Sequence, residues 1–263
     1  MRIDGLAEIA GQFDGMLIDQ FGVIHDGRSL YPGSLRVLTE LRGRGIPVAV
    51  MTNSGNRARA NVERLVGMGV ARHLFLDAVS SGEVAFTTLF RRWGKGHGLR
   101  ALLIGKRGED YGFDGVTFVA DPRDAEVILI LGSNAPETSL DDYRRLFEGL
   151  SLPAICCNPD RLMLSPQGLL PAPGAIAALY EEMGGRVTWI GKPYPQIYAH
   201  AANRIGNPAR ILCIGDSAAH DVAGGRAAGF ATLLVMTGVS EGHDPATLDP
   251  EPDYVMDQFR WTA

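Results

Sequence analysis

The feature that most constrains this chain is a regular alternation of short apolar runs with amphipathic stretches. The apolar runs are four to seven residues long, and most are too continuously apolar for surface helices, which is typical of parallel strands covered on both faces. Between them, apolar residues recur at helical spacing, as in Leu35, Leu38 and Leu41. Strands that alternate with helices along a whole chain predict an α/β fold with parallel sheets.

Eight apolar runs are predicted as strands and six amphipathic stretches as helices. The predicted strands are residues 15–19, 46–51, 101–104, 125–131, 154–157, 187–190, 211–214 and 231–236. The predicted helices are residues 34–44, 56–68, 81–93, 139–150, 174–183 and 195–205.

Composition excludes several classes of protein. Of the 263 residues, 46% are hydrophobic and 21% charged, as in ordinary globular proteins. A net charge of −5 gives no support to binding of nucleic acid or an anionic membrane. No apolar run approaches the ~18 residues of a membrane helix, and Asp4 and Glu8 stand where a signal peptide is apolar. We therefore expect a soluble cytoplasmic protein with no nucleic-acid or membrane partner.

Two residue counts are informative. The odd number of cysteines, two of them adjacent (Cys156, Cys157 and Cys213), predicts buried thiols and no disulfide framework. Only three of the 25 lysine and arginine residues are lysines. Lys192 follows a predicted strand after one glycine, where its compact charge could neutralise an anion in a way that arginine does not reproduce.

Polar residues also follow three other predicted strands. Asp19 ends the first strand, Thr52 follows the second, and Asp216 comes just after the run 211–214, with Asp221 five residues further on. Ligands of doubly wound sheets bind at the carboxyl ends of strands. These residues are therefore candidates for a nucleophile, an anion-binding hydroxyl and ligands of Mg²⁺. Taken one at a time, turn and helix-capping chemistry also explains them.

In this order, Asp19, Thr52, Lys192 and the pair Asp216 and Asp221 resemble the motifs of the haloacid dehalogenase superfamily. The resemblance spans nearly the whole chain and is closest to the class IIA branch, which includes nitrophenyl-phosphate, sugar-phosphate and nucleotide phosphatases. Three further segments support that branch: Cys157-Asn158-Pro159-Asp160, Pro173-Gly174-Ala175 and Gly191-Lys192-Pro193.

The resemblance implies a discontinuous domain organisation. Residues 1–79 and 186–263 would form a Rossmann-like, doubly wound parallel core. Residues 80–185 would form a smaller inserted α/β cap that sets substrate specificity.

The resemblance also implies a catalytic role for three residues. Asp19 would attack phosphorus and become an aspartyl phosphate. Thr52, helped by the backbone N–H of Asn53, would hold the phosphoryl oxygens. Lys192 would neutralise negative charge on the nucleophile and the phosphate, in line with the positioning and charge stabilisation that phosphoryl transfer requires.

The same resemblance implies a metal site and a substrate site. Mg²⁺ would be bound by Asp19, the backbone carbonyl of Phe21 and Asp216, while Asp221 would orient the metal shell or Lys192. The predicted substrate-binding residues are Asn53, Ser54, Asn158 and Asp160.

Phe21 departs from the pattern of the family. Phosphatases of this superfamily usually carry an aspartate there, which protonates the leaving oxygen and later activates water, and a phenyl ring can do neither. Acid–base help of this kind is worth ~10²–10⁴ in rate. His25 or Asp26, the substrate or bulk solvent would have to replace it, or the leaving group would need no proton.

The sequence thus predicts a Mg²⁺-dependent phosphatase that hydrolyses a small phosphate monoester, such as a sugar phosphate or nucleotide. The resemblance also allows a homodimer. Phe21 favours a catalytically impaired phosphate-binding protein as the alternative. A dehalogenase also carries an aromatic residue at this place, but its fourth motif lacks the first acid of the pair Asp216 and Asp221.

Overall fold

The computed structural model describes residues 1–93, 98–165 and 168–262. Its strands, numbered in chain order, are β1 (Gly15–Asp19), β2 (Val48–Thr52), β3 (Asp77–Ser80), β4 (Leu99–Ile104), β5 (Val116–Val119), β6 (Val127–Ile130), β7 (Pro153–Cys156), β8 (Leu162–Ser165), β9 (Gly168–Pro171), β10 (Arg186–Trp189), β11 (Ile211–Gly215), β12 (Ala231–Val235) and β13 (Tyr254–Met256). Its α-helices are α1 (Ser34–Gly43), α2 (Ala58–Gly67), α3 (Ser81–Trp93), α4 (Leu140–Phe147), α5 (Pro173–Glu182), α6 (Pro195–Arg204) and α7 (Ala223–Ala227).

The chain divides into two units, each with its own sheet. Unit 1 comprises Met1–Thr52, Ala58–Val79 and Lys192–Ala263. Its strand order is β13-β12-β11-β1-β2-β3, and β1 pairs in parallel with both β11 and β2. Every residue of β1 and β11 is buried, which is why these strands have continuous apolar sequences. Their carboxyl ends lie side by side at one edge of the sheet.

Unit 2 comprises Asn53–Arg57 and Ser80–Gly191. Its larger sheet has the order β10-β7-β6-β4-β5, with all four neighbouring pairs parallel. Helices α4 and α5 contribute Phe147 and Tyr180 to its core, with ring centroids 4.8 Å apart. Strands β8 and β9 form a separate antiparallel hairpin.

The predicted α/β class with parallel sheets is confirmed. The expectation missed β3, β5, β13 and the hairpin β8-β9. Strand β5 is an edge strand with two exposed residues, so its sequence shows no continuous apolar run. The predicted core segment that starts at residue 186 differs from the structure, because β10 pairs with β7 and residues 186–191 group with unit 2.

Two expectations from composition can be compared with the structure. Cys156, Cys157 and Cys213 are all buried free thiols, as predicted. Across the part of the chain that the structure describes, no helix combines the length and the apolar composition needed to cross a bilayer.

Close packing between α6 and α7 gives a test of the fold of unit 1. A Cβ at Gly224 of α7 would lie 2.3 Å from the ring of Tyr198, which is fully buried in α6. We expect Gly224→Ala to lower the free energy of unfolding by ~1–3 kcal/mol through overpacking. Gly43→Ala is the matched control, because a Cβ at Gly43 meets no atom within 4 Å. Urea unfolding measures both, and equal stabilities of the two variants would contradict the packing.

Candidate functional site

Four charged side chains meet at the carboxyl edge of the unit 1 sheet. The Lys192 ammonium lies 2.7 Å from Oδ1 of Asp19 and 2.8 Å from Oδ1 of Asp221. Asp19, Asp216 and Asp221 each offer a carboxylate oxygen, and these three oxygens lie within 4.8 Å of one another. Each of the four residues is at most 5% exposed. Residues far apart in the sequence thus form one buried cluster.

Strand ends and close backbone packing position this cluster. Asp19 is the last residue of β1, and Asp216 directly follows β11. A Cβ at Gly215 would lie 1.9 Å from Cγ of Asp221, so only glycine leaves room for that carboxylate. The N–H of Ser217 donates to Oδ2 of Asp221 at 3.2 Å. Asp221 lies in a π-helical turn, Ala218–Val222, that follows β11. This turn places the Asp221 carboxylate next to Gly215, the last residue of that strand.

A loop after β12 holds Asp216, and the sequence analysis missed it. The N–H of Val239 donates to Oδ2 of Asp216 at 2.7 Å, and the Thr237 hydroxyl donates to the carbonyl of Gly22. A Cβ at Gly22 would lie 2.0 Å from the same Oδ2. The sequence could have indicated this loop, because Thr237 is a polar residue that follows β12, the strand next to β11. The carboxyl ends of such strands form the edge of the sheet where ligands bind.

The electrostatics of the cluster show a deficit of positive charge. Burial raises the pKa of Asp19 well above its usual range, against the lowering effect of Lys192 and with further raising by Asp221 and Asp216. Burial, then Asp221, raises the pKa of Asp216 to about 6. Burial alone would lower the pKa of Lys192, but Asp19 and Asp221 outweigh it and leave that pKa raised.

The donor set fits a hard divalent cation. The cluster contains three carboxylates and one ammonium, and carboxylate oxygens are the ligands that Mg²⁺ and Ca²⁺ prefer. A divalent cation would balance the negative charge of Asp221, which adds to the effect of burial in raising the pKa of Asp216. The residues could therefore hold a metal ion at Asp19 and Asp216.

Thr52 is the last residue of β2, the strand next to β1. The register pairs Asp19 with Met51, so Thr52 lies one residue further along the neighbouring strand. Its predicted role as a phosphate-binding residue stays a prediction, as does the metal contact of the Phe21 carbonyl.

The four predicted substrate-binding residues all belong to unit 2. Asn53 Nδ2 donates to Oδ1 of Asp160 at 2.9 Å, and Asn158 Oδ1 accepts from the N–H of Asp160 at 3.0 Å. Ser54 Oγ accepts from the N–H of Asn56 at 3.2 Å within a turn. The structure thus joins Asn53, Asn158 and Asp160 in one network, while their contact with substrate stays a prediction.

The loop after β1 carries Phe21 and the two residues considered as replacements for the missing acid. Phe21 is 44% exposed, and its ring packs edge to face with that of His25 at 6.1 Å between centroids. His25 is 2% exposed, and its Nδ1 accepts from the N–H of Gly27. Burial, helped by Arg64, lowers the pKa of His25, so the ring is neutral at pH 7.

Asp26 has a structural role in the same loop. Its carboxylate accepts from the N–H groups of Arg28 and Ser29 at 2.8 and 2.7 Å. The bond from Ser29, then that from Arg28, lowers the pKa of Asp26. A neutral His25 and an ionised Asp26 are both poor proton donors at neutral pH.

Two sequence-family models match the chain. One, described as haloacid dehalogenase-like hydrolase, matches residues 16–119, and the other, described as HAD-hydrolase-like, matches residues 189–262. The chain is 27% identical to the sugar-phosphatase AraL of Bacillus subtilis, over 94% of this chain and 90% of that protein.

Solved structures agree with these matches. A haloacid dehalogenase-like hydrolase from Brucella suis 1330 superposes with a TM-score of 0.82 at 27% identity, covering 98% of this chain and 99% of that one. The p-nitrophenyl phosphatase from Archaeoglobus fulgidus gives a TM-score of 0.74 at 27% identity, covering 94% and 96%.

The raised pKa of Asp216 makes the stability of the metal-free protein depend on pH. Its folded pKa is about 6, against an ordinary 3.8. Between these values the folded state keeps a proton that the unfolded state has lost, so stability falls as pH rises through this range. In EDTA, we expect the stability of the wild type relative to Asp216→Asn to fall by about 3 kcal/mol between roughly pH 4 and pH 7.

Urea unfolding of both proteins at a series of pH values measures this difference. Carboxylates outside the cluster contribute equally to the two proteins and cancel, whereas Asp19 titrates at a lower pH in Asp216→Asn because Asp216 contributes to its raised pKa. If the difference in free energy of unfolding between the wild type and Asp216→Asn stayed constant with pH, the proposed burial of Asp216 would be contradicted.

Proposed function

The chain belongs to the haloacid dehalogenase-like hydrolases, and we propose that it is a Mg²⁺-dependent phosphatase that hydrolyses a small phosphate monoester through an aspartyl phosphate on Asp19. The relatives named above, a sugar-phosphatase and a p-nitrophenyl phosphatase, support the reaction class. The substrate of this chain is proposed only as a small phosphorylated metabolite.

The observation that carries the proposal is the contact of Asp19 with Lys192 at 2.7 Å inside the carboxylate cluster. A nucleophilic carboxylate has to be ionised when the phosphate arrives, although its burial opposes ionisation. The Lys192 ammonium favours the ionised form through its charge and its hydrogen bond. Asp221 accepts a hydrogen bond from the same ammonium at 2.8 Å and so helps to fix its position.

Asp19, Asp216 and the Phe21 carbonyl would hold Mg²⁺. When bound, the ion would neutralise charge so that two anions, the nucleophile and the phosphate, can approach each other. The loop after β12 keeps Asp216 in place through the N–H of Val239. Asp221 would act mainly on Lys192.

The chemistry has two steps. A carboxylate oxygen of Asp19 attacks phosphorus, the ester P–O bond breaks, and the leaving oxygen departs with the electron pair and takes a proton from solvent. Water then attacks the aspartyl phosphate, which releases inorganic phosphate and restores the Asp19 carboxylate. The hydroxyl of Thr52, the last residue of β2, would donate to a phosphoryl oxygen in both steps.

Phe21 shapes both steps, because its phenyl ring can neither donate nor accept a proton. The first step then favours a leaving group that is stable as an anion, such as a phenolate. The second step lacks a general base, so the aspartyl phosphate should persist longer than in an enzyme with aspartate at this position.

Phe21 also favours the second candidate function, a protein that binds a phosphorylated ligand without turnover. Binding alone would be served equally well by asparagine in place of Asp19. The ion pair between Asp19 and Lys192 therefore supports catalysis over binding.

The first test is phosphate release from 4-nitrophenyl phosphate with Mg²⁺ and with EDTA. We expect turnover that needs Mg²⁺ and that falls at least ~10³-fold in Asp19→Asn. Asp4→Asn is the control, because Asp4 is an exposed residue of the same unit. Wild-type protein that binds phosphate but releases none from any ester would favour the binding function.

Phe21→Asp tests the missing acid. Restoring a proton donor should raise kcat/KM on an alkyl phosphate by ~10²–10⁴-fold. It should change kcat/KM on 4-nitrophenyl phosphate much less, because nitrophenolate leaves without a proton.

Phe21→Leu serves as the matched control, since it alters the ring and adds no acid. If Phe21→Asp raised kcat/KM equally on both esters, or if Phe21→Leu raised it as much as Phe21→Asp, the proposed role of position 21 would be contradicted.

A further inference from the structure

Two loops of unit 1 close around the carboxylate of Asp216. One follows β1 and contains Gly22, and the other follows β12 and contains Gly238 and Val239. A Cβ at Gly22 would lie 2.0 Å from Oδ2 of Asp216, and a Cβ at Gly238 would lie 1.9 Å from the same oxygen. The N–H of Val239 donates to that oxygen at 2.7 Å. Because backbone encloses Oδ2 in this way, Oδ1 is the oxygen that Asp216 can offer to a cation.

Thr237 ties these two loops together. Its hydroxyl donates to the carbonyl of Gly22. The N–H of Gly22 donates to the carbonyl of His25 at 2.9 Å, so hydrogen bonds hold both polar backbone groups of this glycine. That N–H belongs to the same peptide unit as the Phe21 carbonyl, which is one of the three proposed metal ligands. The bond from Thr237 therefore fixes the chain directly after the Phe21 carbonyl.

We propose that Thr237 is a positioning residue for the metal ion, which joins the two loops and so sets the separation between the Phe21 carbonyl and the Asp216 carboxylate. This role rests on the Mg²⁺ site of the proposed function, and it does not depend on hydrolysis. Mg²⁺ demands near-ideal octahedral geometry with ligands at about 2.0–2.1 Å, whereas Ca²⁺ accepts flexible geometry at about 2.3–2.6 Å. A small displacement of either ligand should therefore cost more affinity for Mg²⁺ than for Ca²⁺.

Thr237→Val removes the hydroxyl at nearly constant side-chain volume. We expect it to lower the affinity for Mg²⁺ by ~10–100-fold, as the loss of a group that orients metal ligands does. The affinity for Ca²⁺ should fall by a smaller factor. Thr237→Ser keeps the hydroxyl and should bind both ions as the wild type does. Thr39→Val is the matched control, because the Thr39 hydroxyl also donates to a backbone carbonyl, that of Leu35 at 2.7 Å, within α1 of the same unit.

Electron paramagnetic resonance of Mn²⁺ added to the metal-free protein measures binding directly, and competition with Mn²⁺ gives the affinities for Mg²⁺ and Ca²⁺. Urea unfolding of the metal-free variants shows whether each one is folded. If Thr237→Val lost the same factor of affinity for Mg²⁺ and Ca²⁺, or if Thr237→Ser lost as much as Thr237→Val, the positioning role would be overturned. A purely structural role would lower stability and leave the metal affinity of the folded protein unchanged, which would also overturn it.

A second pair of variants tests the enclosure of Asp216 and leaves Thr237 in place. Gly238→Ala would push a methyl group against Oδ2 of Asp216 and should lower the affinity for Mg²⁺ at least as much as Thr237→Val. Gly242→Ala is the matched control. Gly242 has a φ of +78° and Gly238 a φ of +56°, so both substitutions strain the backbone, but a Cβ at Gly242 meets no atom within 4 Å. Equal affinities of the two variants for Mg²⁺ would contradict the enclosure.

The outcomes separate the role of Thr237 from the proposed function. Wild-type protein that binds Mg²⁺ but hydrolyses no ester would contradict the phosphatase, while the metal affinities of the Thr237 variants would still decide the positioning role. Wild-type protein that binds neither Mn²⁺ nor Mg²⁺ would overturn the positioning role, whatever its activity on phosphate esters.

Discussion

The candidate site depends on the buried ammonium of Lys192, which faces Asp19 at 2.7 Å and Asp221 at 2.8 Å. Charged groups leave water at a high cost, which is offset only when partners and hydrogen bonds are in place. With a third carboxylate, Asp216, in the same cluster, one ammonium does not balance the charge, and burial leaves the pKa of Asp19 and Asp216 raised. Such a site gains by binding a divalent cation and needs rigid strand ends to hold its carboxylates together.

Those strand ends explain how much of the site could be predicted from the sequence. Continuous apolar runs mark buried parallel strands, and the first polar residue after each run lies at the same edge of the sheet. Asp19 and Asp216 were found in this way, and the structure joins them in one cluster with Asp221. Lys192 stood out because lysine is rare in this chain, and its two carboxylate partners fit a buried point charge.

Other features lay beyond the sequence because they depend on which loops meet in space. The N–H of Val239 on Asp216 is a backbone contact that leaves no pattern in the side chains. The pairing of Asn53 with Asp160 joins residues 107 positions apart, and the spacing of each motif alone shows only polar loop residues. The edge strand β5 and the hairpin β8-β9 escaped detection because neither has the continuous apolar run of a central parallel strand.

The proposed mechanism makes Asp19 a nucleophile that carries the phosphoryl group during turnover. Because Phe21 cannot activate water, the intermediate should accumulate when the leaving group is good. The direct measurement is rapid acid quench of the wild type with 4-nitrophenyl phosphate and Mg²⁺, followed by peptide mass spectrometry. We expect one phosphoryl group on the peptide that contains Asp19, and none on the same peptide of Asp19→Asn. Turnover with no phosphoryl group on that peptide, or with the group on another residue, would contradict it.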